Sequence, residues 1–223
     1  MLLVLAATEI EMMSFTPFLP ENDVRVMTAV CGVGPVEAAA RVMRLLCTHA
    51  GEVQQVINFG IGGAYLSEPG EAGIDLLHVC VAESEVLGDY GVCYGNRVES
   101  FADPKMAGKT KFMLDKDLLK AAREKLNDAA IDFSSGSFVT VNGASGTADR
   151  GRFLKKKFNA ICENMEGAAI ARCCALYSLP MLEMRVISNM VEDRPGAPWK
   201  IKDACSRCGQ IAALVVDGLK EKL

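Results

Sequence analysis

Short apolar runs, each about the length of one β-strand, alternate along this chain with segments of helical periodicity. The first run, Leu2–Ala7, is continuously apolar, as in a strand that is buried on both faces. The same criteria predict strands at 24–30, 55–59, 74–86, 137–141, 160–163 and 181–187, and helices from Pro35 onward and at 116–130, 149–158, 166–177 and 203–222. Strands that alternate with helices indicate an α/β sandwich with a largely parallel or mixed sheet. Of these alternatives we expect a three-layer α/β/α sandwich with a central mixed sheet.

We expect this sheet and its helices to form a single domain. The 223 residues contain no internal repeat, low-complexity tract or linker that would divide them, so residues 1–223 are predicted to fold as one unit. Residues 88–112 are rich in Gly, Asn, Asp and Pro and predict a hairpin or loop excursion from that unit.

The charge balance argues against two classes of partner. Lys and Arg total 24 against 28 Asp and Glu, which gives a net charge of −4. No net positive field therefore attracts nucleic acid or an anionic membrane. The basic cluster at 150–157 contains Phe153 as its single aromatic and is interpreted as a solvated helix face. No apolar run reaches the roughly 18–20 residues of a membrane helix, so we expect a cytoplasmic protein.

The cysteines predict neither a disulfide framework nor a metal site. There are nine of them, an odd number, and most lie in apolar segments, which favours reduced and buried thiols. Cys205 and Cys208 have a redox-like spacing but lie in a helical pattern without a second Cys pair. His49 and His78 are the chain's two histidines. We therefore expect no metal and no organic cofactor.

An acidic segment directly follows the first strand. Glu9 and Glu11 stand where α/β sheets place ligands, beyond the carboxyl end of a strand. A carboxylate at this place can act as a base or bind a cation. The alternative interpretation is an acidic first helical turn, which the helix dipole favours.

Two glycine clusters follow predicted strands. They are Gly32/Gly34 and Gly60/Gly62/Gly63, and each predicts a turn whose N–H groups can approach an anion or a sugar closely. Turn formation alone would also explain them. The first cluster lacks the third glycine of a dinucleotide-binding fingerprint, and no phosphate-binding Gly-Lys-Ser/Thr loop is present.

A third motif opens the helix predicted at 166–177. It reads Asn164-Met165-Glu166-Gly167-Ala168-Ala169 and is followed, after the next strand, by Arg185-Val186-Ile187-Ser188-Asn189. Glu166 would stand at a helix N-terminus, where the dipole favours an ionised carboxylate. Such a carboxylate can accept two hydrogen bonds from a vicinal diol such as ribose O2′ and O3′. A simple helix cap is the alternative.

Taken in order, these motifs resemble the purine nucleoside phosphorylase and nucleosidase family. The resemblance covers nearly the whole chain, and its most specific part is the pair of motifs at 164–169 and 185–189. It implies a nucleoside phosphorylase-like fold and cleavage of the N-ribosidic bond of a purine nucleoside. It also implies a homodimer or larger homo-oligomer that needs no cofactor, with a small nucleoside and water as its reactants.

The resemblance also implies roles for individual residues. Glu11 falls on the base that activates water, Glu166 on the carboxylate that holds the ribose hydroxyls, and Asn189 on an Asp that protonates the leaving base. Met165 would pack under the sugar. The implied substrate contacts on the sugar side are Gly60, Ile61, Gly62 and Gly63. Main-chain groups near Phe138–Asn142, at Phe138, Val139 and Asn142, would border the purine, and Arg194 would bind a carboxylate on the 5′ side. For Arg194 a solvated surface position is the alternative, and for Arg185 we expect a structural pairing with a carboxylate such as Glu166.

Two departures from the family pattern affect the expected substrate. Asn164 stands where adenine nucleosidases usually have Glu. Asn189 replaces the acidic proton donor, and an amide cannot donate a proton at neutral pH. A 6-oxopurine such as hypoxanthine tolerates this, because its carbonyl shares the negative charge that develops on the leaving base.

Hydrolysis is favoured over phosphorolysis by the charges near the expected nucleophile. No Arg is present in either glycine cluster, and Glu9 and Glu11 would repel phosphate. An adenine-type nucleosidase, a phosphate-dependent phosphorylase and a catalytically silent nucleoside-binding relative remain the alternatives.

Overall fold

The computed structural model describes residues 1–20, 23–67, 73–95, 97–196 and 198–221. The strands are β1 (Leu2–Ala6), β2 (Val26–Val30), β3 (Gln55–Tyr65), β4 (Val79–Leu87), β5 (Val92–Tyr94), β6 (Arg97–Glu99), β7 (Lys111–Met113), β8 (Phe133–Thr140), β9 (Ala160–Asn164) and β10 (Met181–Val191). The helices are α1 (Glu9–Phe15), α2 (Pro35–Thr48), α3 (Pro104–Ala107), α4 (Lys116–Asp128), α5 (Ala148–Phe158), α6 (Gly167–Leu176) and α7 (Ile201–Lys220), with a 3₁₀ turn at Thr16–Phe18.

The main sheet is mixed, as the sequence predicts. Within the described residues its strands run in the order β10–β4–β8–β9–β3–β1–β2, and β7 pairs with β4. Strand β10 also pairs with β3, which closes β3, β9, β8, β4 and β10 into a ring. The pairs β1–β2, β1–β3, β3–β10, β4–β8 and β8–β9 are parallel, and β3–β9, β4–β10 and β4–β7 are antiparallel.

Helices cover both faces of the sheet and confirm the three-layer architecture. On one face α1, α4 and α7 bury residues such as Phe15, Leu126 and Val215 against β1, β3 and β10. On the other face α2 and α6 bury Val42 and Ile170 against the same sheet. Burial of these apolar stripes provides the main stabilisation of the fold, at roughly 25 cal/mol per Å² of apolar surface. None of the helices in the described ranges is long and apolar enough to cross a bilayer.

Several predicted boundaries were wrong in a way that matters for the site. The glycines at 60–63 do not form a turn after a strand, because they continue β3 to Tyr65. Strand β10 likewise continues through Asn189 to Val191 instead of ending at Ile187. These extensions pair with each other in parallel, with a register shift between Ile187 and Asn189. The site residues on these strands are therefore held by sheet hydrogen bonds.

The remaining shifts are smaller. The strand predicted at 74–86 occupies 79–87, that at 137–141 occupies 133–140, and the last helix begins at Ile201. The excursion at 88–112 contains the β5–β6 hairpin, as predicted, although residue 96 lies outside the described residues. Residue 222, the predicted end of the last helix, also lies outside them.

Candidate active site

A cavity of about 350 Å³ opens beyond the carboxyl ends of β1 and β9 and along the C-terminal halves of β3 and β10. Its polar lining residues are Thr8, Glu11, Glu163, Asn164, Glu166, Arg185, Ser188 and Asn189. The predicted residues Ile61, Gly62, Gly63 and Met165 line it as well. The two carboxylates that the sequence places 155 positions apart, Glu11 and Glu166, thus share one cavity.

Glu11 is held by both of its carboxylate oxygens. Its Oε2 accepts hydrogen bonds from Thr8 N at 2.9 Å and Thr8 Oγ1 at 2.7 Å, which completes a capping box at the start of α1. Its Oε1 accepts from Ile61 N at 2.9 Å. That N–H is available because β1 pairs with β3 only as far as Asn58. Glu11 therefore caps α1 and lines the cavity at the same time, so these two placements do not exclude each other.

Glu166 stands at the N-terminus of α6 and reaches across to α2. Its Oε1 accepts from Gly34 N at 3.0 Å, and Gly34 has φ +92°, a conformation that favours glycine. Its Oε2 lies 3.5 Å from Arg185 Nη1. Burial raises the pKa of Glu166, while Arg185 and the Gly34 N–H oppose this shift. The carboxylate is thus oriented with hydrogen-bonding capacity left for a ligand.

The guanidinium of Arg185 lies next to both Glu11 and Glu166. It is 1% exposed, and its Nε and Nη2 donate to Glu183 Oε1 at 3.0 and 2.8 Å. Burial lowers its pKa, but the adjacent carboxylates, led by Glu183, outweigh burial and raise it. A methyl group on Gly60 would come within 2.5 Å of Glu11 Oε1 and 2.7 Å of Arg185 Nη1. Glycine at position 60 therefore allows Glu11 and Arg185 to approach each other. The predicted pairing of Arg185 with Glu166 is confirmed by their 3.5 Å contact.

A second, fully buried carboxyl group supports this arrangement. Glu85 accepts a hydrogen bond from Thr140 Oγ1 at 2.8 Å and one from Asn164 Nδ2, and its carboxyl group lies beside that of Glu183. Two adjacent buried carboxylates repel each other, so one of them holds a proton more readily. Burial raises the pKa of Glu85 well above its ordinary value, with Glu183 as the next contribution. Since Glu183 is paired with Arg185 at 2.8 Å, Glu85 is the carboxyl group that holds a proton more readily.

This assignment predicts a pH-dependent effect of Glu85→Gln. A raised carboxyl pKa means that the folded state keeps a proton which the unfolded state loses, so the contribution to stability is full at acid pH and declines as pH rises above about 4.5. Glutamine cannot titrate. We expect the unfolding free energy of the wild type, relative to Glu85→Gln, to fall between pH 4.5 and 8 by up to ~1.4 kcal/mol per pH unit. Urea unfolding across this range measures it, and a constant difference would place the proton elsewhere.

Asn164 has a structural role that the sequence did not reveal. Its Oδ1 accepts from Glu166 N at 2.9 Å and Gly167 N at 2.8 Å, which caps the start of α6. Its Nδ2 donates to Glu85. An amide supplies both an acceptor and a donor here, which an ionised carboxylate could not do.

At the opposite end of the cavity, three residues are neighbours across adjacent strands. Asn189 on β10 pairs with Gly63 on β3, and Gly63 pairs with Glu163 on β9. Ser188 Oγ donates to Asn189 Oδ1 at 2.9 Å, while Asn189 Nδ2 makes only a 3.3 Å contact to Met190 O. The Asn189 amide is thus oriented with its Nδ2 donor available to a ligand.

Five predicted contacts do not line the cavity. Phe138 and Val139 are fully buried in the core, whereas Val141, which belongs to the same predicted segment 138–142, lines the cavity together with Ala144. Asn142 is turned away, since Asp89 Oδ2 accepts its N–H and Oδ1 its Nδ2. Arg194 stacks on Trp199 at 4.5 Å and lines a neighbouring surface pocket. Gly60 does not line the cavity itself, but it leaves room for Glu11 and Arg185 to approach each other, as described above.

Sequence reasoning missed the apolar wall and the buried acidic residues. The wall consists of Ile10, Val33, Val141, Ala144, Trp199, Ile201 and Cys205. It brings α1, the loop before α2 and the start of α7 together, so no local pattern identifies it. The buried acids do carry a signal, because Glu85, Glu163 and Glu183 each interrupt an apolar strand sequence. Charged residues inside such runs are buried and need partners.

The sequence matches the family model described as the phosphorylase superfamily over residues 12–221. The chain is 30% identical to futalosine hydrolase of Thermus thermophilus over 178 residues, which cover 78% of this chain and 74% of that protein. It is 29% identical to futalosine hydrolase of Streptomyces coelicolor, with 78% and 71% covered. It is 26% identical to the 5′-methylthioadenosine/S-adenosylhomocysteine nucleosidase of Staphylococcus saprophyticus, with 80% and 75% covered.

Solved structures show the same fold. The native structure of futalosine hydrolase of Helicobacter pylori aligns with a TM-score of 0.83 at 18% identity, covering 97% of both chains. The 5′-methylthioadenosine/S-adenosylhomocysteine nucleosidase of the same organism, complexed with butyl-thio-DADMe-Immucillin-A, aligns with a TM-score of 0.82, again at 18% identity and 97% coverage of both chains.

Proposed function

The chain belongs to the phosphorylase superfamily, and on this premise we propose that it is a nucleosidase that hydrolyses the N-ribosidic bond of a 6-oxopurine nucleoside, with futalosine as the substrate. The observation that carries the proposal is the shared cavity of Glu11 and Glu166. Both carboxylates are 3% exposed and lie next to the same guanidinium, that of Arg185.

The charges in the cavity favour water as the nucleophile. Among the described lining residues Arg185 is the one cation, and it already contacts Glu183 and Glu166. Glu11, Glu163 and Glu166 contribute carboxylates to the same space. A phosphate dianion would meet repulsion here without an unpaired cation to bind it, whereas water needs only a hydrogen-bond acceptor.

In the reaction, the bond between C1′ and the purine nitrogen breaks, and the base leaves with the electron pair and takes up a proton from bulk water. The proton that Glu11 removes from the attacking water returns to bulk water. The sugar approaches a ribosyl oxocarbenium ion, as in glycoside hydrolysis. Glu11 accepts a proton from water while the water oxygen bonds to C1′. Glu166 holds the ribose hydroxyls, which fixes C1′ relative to that water. Met165 packs under the ring.

Asn189 favours a leaving base that does not need a strong acid. Its Nδ2 can donate a hydrogen bond to the purine, but it has no proton to transfer at neutral pH. Hypoxanthine delocalises the developing charge onto its carbonyl oxygen. Futalosine, a hypoxanthine nucleoside of a menaquinone route, therefore suits this site better than an adenine nucleoside such as methylthioadenosine or aminodeoxyfutalosine.

Replacing Asn189 by Asp should shift the preference toward adenine. The new carboxyl group could protonate the leaving base, a contribution of the order of 10²–10⁴-fold in general-acid catalysis. We expect the ratio of kcat/KM for methylthioadenosine to that for futalosine to rise at least ~10-fold, measured by base release. An unchanged ratio would show that Asn189 does not contact the base.

The function itself is tested with a small nucleoside panel. Futalosine, inosine and methylthioadenosine are incubated with the protein, and free base is measured by chromatography. We expect hypoxanthine from futalosine as the fastest product. Faster adenine release from methylthioadenosine would identify an adenine-type nucleosidase, and binding without base release would indicate a catalytically silent relative.

A further inference from the structure

We propose that Glu163 is a specificity-determining residue that accepts the N1–H of a 6-oxopurine and thereby excludes adenine. The inference rests on the proposed nucleosidase function and identifies the group that selects the base. Glu163 is 5% exposed, lines the cavity and has no part in the steps described above.

The position of Glu163 follows from the sheet. It lies in register with Gly63, which lies in register with Asn189, on three neighbouring strands. Adjacent strands are ~4.8 Å apart, so the outer two residues are about 10 Å apart at Cα. A methyl group on Gly63 would come within 3.0 Å of Asn189 Nδ2 and 3.6 Å of Glu163 Cγ. The side chains of Glu163 and Asn189 therefore both lie close to Gly63, at the end of the cavity where the purine would bind.

The hydrogen bonds that Glu163 receives orient its carboxylate as a hydrogen-bond acceptor. Its Oε1 accepts from Ser145 N at 2.7 Å and its Oε2 from Ser145 Oγ at 2.7 Å. Ser145 Oγ itself accepts from Arg150 Nε at 3.2 Å, so the serine proton is directed to Glu163. Three groups that donate or direct protons toward one carboxylate favour its ionised form. Burial still raises the pKa of Glu163, so a further donor from a ligand stabilises it.

Together the two side chains match a lactam edge. A 6-oxopurine presents the O6 acceptor next to the N1–H donor, and these fit the Asn189 Nδ2 donor and the Glu163 acceptor. Adenine presents an amino donor and an unprotonated N1 acceptor at the same places. Its N1 lone pair would face a carboxylate with no hydrogen between them. A site built around a buried polar group rejects a ligand that leaves the group unpaired.

A purely structural role for Glu163 is the competing explanation, because Ser145 lies in the loop between β8 and α5. The matched variants Glu163→Gln and Ser145→Ala separate the two explanations. Glutamine keeps an acceptor for Ser145 N but places an NH₂ group where the second oxygen was. Alanine removes the serine hydroxyl and leaves the carboxylate in place.

The test measures kcat/KM for futalosine and methylthioadenosine, and calorimetric binding of hypoxanthine, 1-methylhypoxanthine and adenine. We expect Glu163→Gln to reduce the preference for hypoxanthine over adenine at least ~10²-fold in binding and turnover. Ser145→Ala should change that preference less than ~3-fold, and the wild type should discriminate against 1-methylhypoxanthine, which lacks N1–H.

Two results would overturn the proposal. One is an equal loss for both bases in Glu163→Gln and Ser145→Ala, which would make Glu163 a loop anchor only. The other is wild-type binding of 1-methylhypoxanthine as tight as that of hypoxanthine. If the wild type hydrolyses futalosine in either case, the proposed function stands and only the role of Glu163 fails. If it hydrolyses no nucleoside, the base-binding measurements still test Glu163.

Discussion

Replacing Glu11 by Gln is expected to lower kcat for futalosine by at least ~10²-fold while KM changes less than ~3-fold. The glutamine oxygen can still accept from Ile61 N, the 2.9 Å bond that places this side chain, so the variant should fold and bind. The glutamine amide cannot take a proton from water, so the variant lacks the general base that activates the attacking water. Single-turnover base release separates this chemical step from binding.

Glu9→Gln is the matched control. Glu9 lies in the same first turn of α1 but is exposed, and it does not line the cavity. Its replacement should leave kcat within ~2-fold. Glu9 and Glu11 interact with the α1 dipole to a similar extent, so this control shows how much of the effect comes from that interaction alone. Equal losses in the two variants would mean that the acidic turn acts only through its charge, and unchanged turnover in Glu11→Gln would remove Glu11 from the mechanism.

Replacing Arg185 by Met is expected to reduce the unfolding free energy by about 3–5 kcal/mol. The guanidinium contacts Glu183 at 2.8 Å and Glu166 at 3.5 Å, and all three side chains are at most 4% exposed. Without it, two buried carboxylates lose their counter-charge and must take up protons or draw in water. Urea unfolding at neutral pH measures the loss.

Arg152→Met provides the comparison for this effect. Arg152 is half exposed and lies 3.7 Å from Asp149, so its loss should change stability by no more than about 0.5 kcal/mol. Combining Arg185→Met with Glu183→Gln should recover part of the loss, because one of the unpaired charges is removed as well. A deficit in Arg185→Met no larger than in Arg152→Met would show that the cluster does not need its cation.

The sequence sufficed to predict the α/β class and most of the order of the elements, because these depend on local periodicity, whereas the direction of each strand in the mixed sheet does not. It also identified Glu11 and Glu166 as candidate site residues, and both line one cavity. Gly60 and Gly63 were misinterpreted as turn residues. Glycine is needed at these positions because Glu11, Arg185 and Asn189, which are distant in sequence, approach the Cα atoms too closely for a side chain to fit. No local pattern contains that information.

The end of the cavity near Asn189 was harder to predict than the end near Glu11. Phe138 and Val139 do not line the cavity, because the sequence does not show which residues of a strand face the core and which face a cavity until its neighbours in the sheet are known. Here β9 lies between β8 and β3, and it contributes Glu163 to the cavity. Glu163 was visible as a charge within an apolar run, but the sequence does not show that it pairs with Ser145.

The central claim is that this cavity activates water and has no use for phosphate. The most direct measurement is the rate of hypoxanthine release from futalosine in phosphate-free buffer, followed by chromatography before and after phosphate is added. The account predicts full release without phosphate and no acceleration by it. Release that begins only when phosphate is present would contradict it.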